Sequence, residues 1–135
     1  MADSCGAARP GADRLAYPLA EPFLAKTQHL VIADTEAEAE QAGLQAFETW
    51  KGHVHYLTRK AGRPDVHKIE PYAENSTQRL ITGTPRTVLD QLREVVRVTG
   101  MNYLLRVFSF GDIAPQQALR SLELFSGEVK PKLAA

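Results

Sequence analysis

Cysteine is almost absent. The 135 residues hold one, Cys5, in a Gly/Ala-rich leader. A single thiol cannot close an internal disulfide, so no cross-linked scaffold is expected and the chain suits a reducing, cytoplasmic setting. With no base beside it in sequence, Cys5 does not read as a nucleophile. Long apolar runs are missing too: none approaches the ~20 residues a membrane span requires, and no apolar stretch of the secretory type follows the first charge. Neither sign of charge is in excess, since 16 Lys+Arg balance 16 Asp+Glu. The basic residues are scattered, which argues against a nucleic-acid partner. The four histidines give no metal site: His53 and His55 are two apart on a helical stretch and face different ways, and His29 and His67 stand alone. There is no G-x-S-x-G elbow, P-loop or G-x-G-x-x-G fingerprint.

What is present is an alternation of short apolar runs and amphipathic stretches. Residues 1–14 have no periodicity and read as a flexible leader, leaving 15–135 as one domain. A strand is expected over Thr27–Ala33 around Leu30-Val31-Ile32. Thr35 then suits a helix N-cap, with Glu38 three residues on to complete a capping box. Small and apolar residues recur from Ala39 through Gly43, Phe47, Trp50 and Leu57, one face of a long helix that Gly62 and Pro64 stop. Residues 63–78 read as a polar loop.

Leu80-Ile81-Thr82 predicts a second strand, and Gly83-Thr84-Pro85 turns it into a helix with Thr84 as N-cap and Pro85 at the first helical position. Gly100 closes that helix. Met101–Phe108 reads as a nearly continuous apolar strand, covered on its outer face. Phe110-Gly111-Asp112 is a turn. Pro115 opens a last helix with Ala118, Leu122, Phe125 and Val129 on one face. Strand–helix–loop–strand–helix–strand–helix is the order of βαβ units and a parallel sheet, with Leu80–Thr82 and Met101–Phe108 expected as adjacent parallel strands.

Two features carry possible chemistry. The backbone donors of Gly83 and Thr84 at a helix N-terminus can take a phosphate or carboxylate, or the junction can be a helix start that binds nothing. In the last strand Asn102, Leu104, Arg106 and Phe108 share one face and Tyr103, Leu105 and Val107 the other. If helices cover the Tyr103 face, Arg106 points into a sheet interior, where it needs either a structural carboxylate or a ligand anion. Asp112 is either a wall residue or a capping acceptor.

The stretches Leu80–Val88 and Gly100–Asp112, the strand into helix at Val31–Ala39, and the last helix Gln117–Phe125 resemble luciferase-like monooxygenases, in the right order from about Thr27 to Leu133. That resemblance implies an α/β fold made of the C-terminal βα units of a (β/α)8 TIM barrel, an incomplete barrel in this chain without the first five or so units. It implies reduced FMN or a deazaflavin as cofactor, O2 as co-substrate, a small-molecule substrate and a flavin reductase as partner. Gly83 and Thr84 are then expected near an anionic group, Arg106 as an interior charge, and Phe108, Phe110 and Gly111 along the cofactor end. Ala114 stands where a capping serine is expected. An incomplete barrel leaves sheet edges open, so the alternative is a non-catalytic fragment that forms a homo-oligomer or binds a partner chain.

Overall fold

In the computed structural model, residues 24–63, 69–72 and 78–133 are described. The expected leader over 1–14, Cys5, Pro64, His67 and much of the 63–78 loop lie outside the described residues. Three strands, β1 (Ala25–Ile32), β2 (Leu80–Gly83) and β3 (Tyr103–Val107), form one parallel sheet in the order β2-β1-β3. The helices are α1 (Glu36–Lys60), α2 (Pro85–Thr99) and α3 (Pro115–Leu124). A π-helical stretch, Phe125–Val129, continues α3 into a short α4, Lys130–Leu133.

The local signals produce the elements they announce. Thr35 caps α1, its hydroxyl accepting from Glu38 N–H at 3.3 Å. Thr84 caps α2 with Pro85 next, and Gly100 ends it at φ 64°, a left-handed conformation that glycine adopts without a Cβ penalty. Ala114 precedes α3 without any side-chain cap.

Side-chain alternation along β1 builds two cores. Leu30 and Ile32 join Ile81, Val88, Leu92 and Val129 under α2 and the C-terminal helical segment. Val31 and Ala33 join Leu80, Ala46, Phe47 and Phe110 under α1. Helices therefore cover both faces, and β1, apolar on both, takes the centre.

Three expectations are corrected. Leu80–Thr82 and Met101–Phe108 are not neighbouring strands, because β1 lies between them. Strand β3 is an edge, with Tyr103 49% and Leu105 41% exposed; the helix-covered face is the one bearing Leu104 and Phe108. A run that looked uniformly apolar is thus buried mainly on one side. In the last helix Leu122 is 43% exposed, while Ser121 is fully buried. Ser121 and Leu124 are three apart and share a face, and the π-helical bond from Lys130 N–H to Phe125 C=O inserts an extra residue that carries Val129 back to the core.

Candidate functional site

Open parallel sheets seat ligands outside the carboxyl ends of their strands, where the winding reverses. Here β1 reaches β2 by way of α1 on one face, and β2 reaches β3 by way of α2 on the other. The reversal therefore falls between β1 and β3. Their pairing stops at His29 opposite Val107, while β1 runs on to Ile32. The even residues of β1 direct their backbone toward β3, so Ile32 has no strand partner there. Ser121 supplies one: Ile32 N–H donates to its Oγ at 3.0 Å and its hydroxyl donates to Ile32 C=O at 2.9 Å.

On the α1 side of this gap lies a crevice of about 340 Å³, lined by Glu38, Gln41, Gln45, Asp112, Ile113 and Gln117, among others. Gln45 Nε2 donates to Asp112 Oδ2 at 3.0 Å across it. The lining is carboxylate and carboxamide with no cation, a surface for hydroxyl, amide or cationic groups rather than for a phosphate. The loop that forms its far wall is fixed by Gly111. At φ 57° this residue packs so closely on α1 that a Cβ would stand 1.9 Å from Ala46 O.

The Gly83–Thr84 junction lies at the carboxyl end of β2, and an anion already sits on it: the Glu36 carboxylate from the first turn of α1. Its Oε1 accepts from the Thr84 hydroxyl at 2.8 Å and from the Thr87 hydroxyl at 2.5 Å. Hydrogen bonds from Thr87, then from the Thr84 side chain and backbone, hold Glu36 below the ordinary carboxylate range. Asp34 and Arg120, 2.9 Å apart, tie the loop after β1 to α3 as an exposed pair.

The six residues singled out in the sequence fall in three places. Gly83 and Thr84 hold Glu36. Arg106 and Phe108 lie on the α2 side of the sheet, Arg106 opposite Gln28 and Phe108 edge-on to Phe125 with ring centroids 5.4 Å apart. Phe110 is buried beneath α1, its ring 4.5 Å from His29, with Gly111 beside it. The structure does not gather them into one pocket. Nor do the described residues at the carboxyl end fit a flavin phosphate by themselves: Glu36 fills the helix N-terminus and the crevice carries no positive charge.

Sequence reasoning missed three features. Glu36 reads as a first-turn acid serving its own helix, and Ser121 as a solvent-facing residue of an amphipathic one. His29 is buried in a box of Phe47, Trp50 and Phe110, its ring 4.4 Å from that of Trp50. Burial pushes its imidazole below the ordinary value of 6.5, with the Arg79 charge adding to the effect and a backbone hydrogen bond with Arg79 opposing it. No group of metal-ligating side chains occurs among the described residues, and no helix among them is long and apolar enough to cross a membrane.

Solved structures match the α/β fold of this chain over part of their length. It is similar to the oxygenating constituent of 3,6-diketocamphane monooxygenase from Pseudomonas putida, a type II Baeyer-Villiger monooxygenase in complex with FMN. Identity is 23%, the TM-score 0.66, and the match covers 96% of this chain and 38% of that one. It is also similar to monooxygenase RslO1 from Streptomyces bottropensis, with 18% identity, a TM-score of 0.69, and 96% and 37% of the two chains covered. A third likeness is to apo-MsnO8, at 25% identity and a TM-score of 0.52 over 81% and 35% of the chains. The chain thus shares its fold with a segment of these proteins and spans under two-fifths of their length. No protein-family model and no curated protein matches it.

Proposed function

We propose that this chain is a part of a flavin-dependent oxidoreductase of the luciferase-like monooxygenase type, active in the cytoplasm once further strands complete its sheet. The observation that supports this reading is the likeness of almost the whole chain to 38% of an FMN-bound monooxygenase. Reduced FMN, or a deazaflavin, supplies the redox chemistry with O2 on a small organic substrate, and a reductase supplies the reduced flavin. This chain's own residues do framing work. Gly83, Thr84 and Glu36 fix the end of β2, Phe110 and Gly111 set the loop that carries Asp112, and Phe108 packs β3 against the C-terminal segment. The phosphate seat comes from the added strands, in keeping with the absence of a cation from the lining of the crevice between α1 and the loop after β3.

A second reading is a non-catalytic module that forms a homodimer or binds a partner chain. The position of β3 as an outer strand among the described residues, with Leu105 41% exposed, favours it, since sheet edges invite a further strand. Reduced FMN titrated against the purified chain and against its assemblies tests both. Saturable binding by any of them supports the oxidoreductase. No binding up to ~1 mM, with a stable dimer on sizing, supports the module instead.

A further inference from the structure

On the α2 face of the sheet, in the amino-terminal half of β1, three cationic side chains come together with no carboxylate among the described residues to meet them. Lys26 stands opposite Leu104 and Gln28 opposite Arg106 in the β1–β3 register, all on one face. Arg79, just before β2, lies close enough for its charge to act on Lys26, as does that of Arg106. The Arg106 guanidinium is pinned by one nitrogen, Nη1, which donates to Lys26 C=O at 3.3 Å and to Leu105 C=O at 3.0 Å. Its other two, Nε and Nη2, are buried and have no partner, and the same holds for Lys26 Nζ and for Oε1 of the fully buried Gln28.

Nε and Nη2 are not an arbitrary pair. They form one edge of the guanidinium, with two parallel N–H groups spaced to grip two oxygens of one carboxylate or phosphate. Gln28, whose Nε2 donates to Gln78 C=O at 2.8 Å, brings no negative charge. Burial lowers the Arg106 pKa to about 10 and, with its two cationic neighbours, lowers that of Lys26. Fixed, desolvated cations without a counter-charge are costly to keep. A cavity of about 420 Å³, lined by Leu24, Ala25, Lys26, Thr99 and Met101, adjoins the Lys26 side of this cluster.

We infer that Lys26 and the Nε/Nη2 edge of Arg106 form a seat for a dianionic oxyanion, with the chemistry of a phosphate monoester. The guanidinium edge binds two of its oxygens and the ammonium a third, while Arg79 adds long-range attraction. A dianion is favoured over a carboxylate because the Arg106 edge and the Lys26 ammonium are both buried without a partner. The seat is separate from the crevice between α1 and the loop after β3: Gln28 precedes Ile32 by four residues, and the two sites lie on opposite faces. The inference is independent of the flavin reading, and inorganic phosphate serves as the probe so that the two are not confused.

Thermal unfolding of the whole chain, with phosphate replacing chloride at constant ionic strength, is the test. A saturable rise in Tm is expected for the natural sequence. Arg106→Lys keeps the charge but removes the paired donors, and it should weaken the phosphate effect about tenfold. Lys26→Met should abolish it while leaving the phosphate-free Tm equal or higher, because that change removes an uncompensated charge. A Tm indifferent to phosphate, an equal rise in both variants, or a Lys26→Met chain that is less stable without phosphate would each overturn the assignment.

Discussion

The Ser121 hydroxyl stands in for a missing strand residue, bonding both the N–H and the C=O of Ile32 at 3.0 and 2.9 Å, 89 positions away in the chain. Both residues are fully buried, so no water can take over when the hydroxyl is removed. Ser121→Ala leaves two orphaned backbone groups and should cost about 2–4 kcal/mol. Chemical denaturation checks this: the midpoint should fall with the slope unchanged. A loss below ~0.5 kcal/mol would mean that the sheet end is capped some other way.

Gly111 gives a contrast with Gly100 that isolates packing from backbone conformation. Both have positive φ, 57° and 64°, but a Cβ at Gly100 meets open space whereas at Gly111 it would enter the Ala46 carbonyl of α1. Gly100→Ala should cost about 1 kcal/mol for the left-handed conformation alone. Gly111→Ala must also push the loop off α1 and should cost at least ~3 kcal/mol or prevent folding. Equal midpoints for the two variants would contradict the close approach.

How much of this was legible beforehand divides along the range of the interaction. Thr35, Thr84, Pro85 and Gly100 act within four residues of themselves, and through them the start of α1 and both ends of α2 were legible. Strand order depends on which strand is apolar on both faces after helices arrive from elsewhere, and no local signal in Leu80–Gly83 or Tyr103–Val107 states that β1 will lie between them. The exposure of Tyr103 and Leu105 has the same origin: which face of a strand a helix covers is decided by segments distant in the chain. Glu36 and Ser121 were invisible as site residues because a carboxylate in a first helical turn and a serine in a helix are ordinary locally. Their partners, Thr84 and Ile32, are 48 and 89 residues distant. Arg106 stood out in the sequence as a charge in need of a partner; in the structure its face is the one helices cover, and two of its nitrogens have no partner.

His29 makes stability depend on pH in a direction that follows from its surroundings. Its pKa in the folded chain lies below the ordinary 6.5, chiefly through burial among Phe47, Trp50 and Phe110. Below pH 6.5 the unfolded chain therefore takes up a proton before the folded one does. Stability should be full above that pH, decline as the pH falls toward the folded value, and level off beneath it. His29→Gln should remove this component. Trp50 is the one tryptophan of the chain, and contact with a charged imidazole quenches indole emission. Fluorescence of the folded protein should thus drop along the His29 titration and stay flat in the variant; an unaltered acid profile in His29→Gln would refute the assignment.

Glu36 provides the second acid-sensitive contact, and its exposure sets the scale. Its carboxylate sits on the N-terminus of α2, bonded to the hydroxyls of Thr84 and Thr87, and its pKa is held below the ordinary carboxylate value. A depressed carboxylate pKa stabilises the fold above about pH 4.5, and that contribution disappears as the pH falls through the lowered value. Because the group is solvated, the helix dipole and the two hydroxyls together should be worth only about 0.5–1 kcal/mol, shrinking as salt is added. Glu36→Gln keeps the shape and removes the charge, so its cost should fade in high salt, whereas that of Thr84→Ala, about 1 kcal/mol for a lost cap, should persist. The two changes share one hydrogen bond, so the double variant should lose less than the sum of the singles. Strict additivity in equilibrium unfolding would show that Glu36 does not hold the junction between β2 and α2.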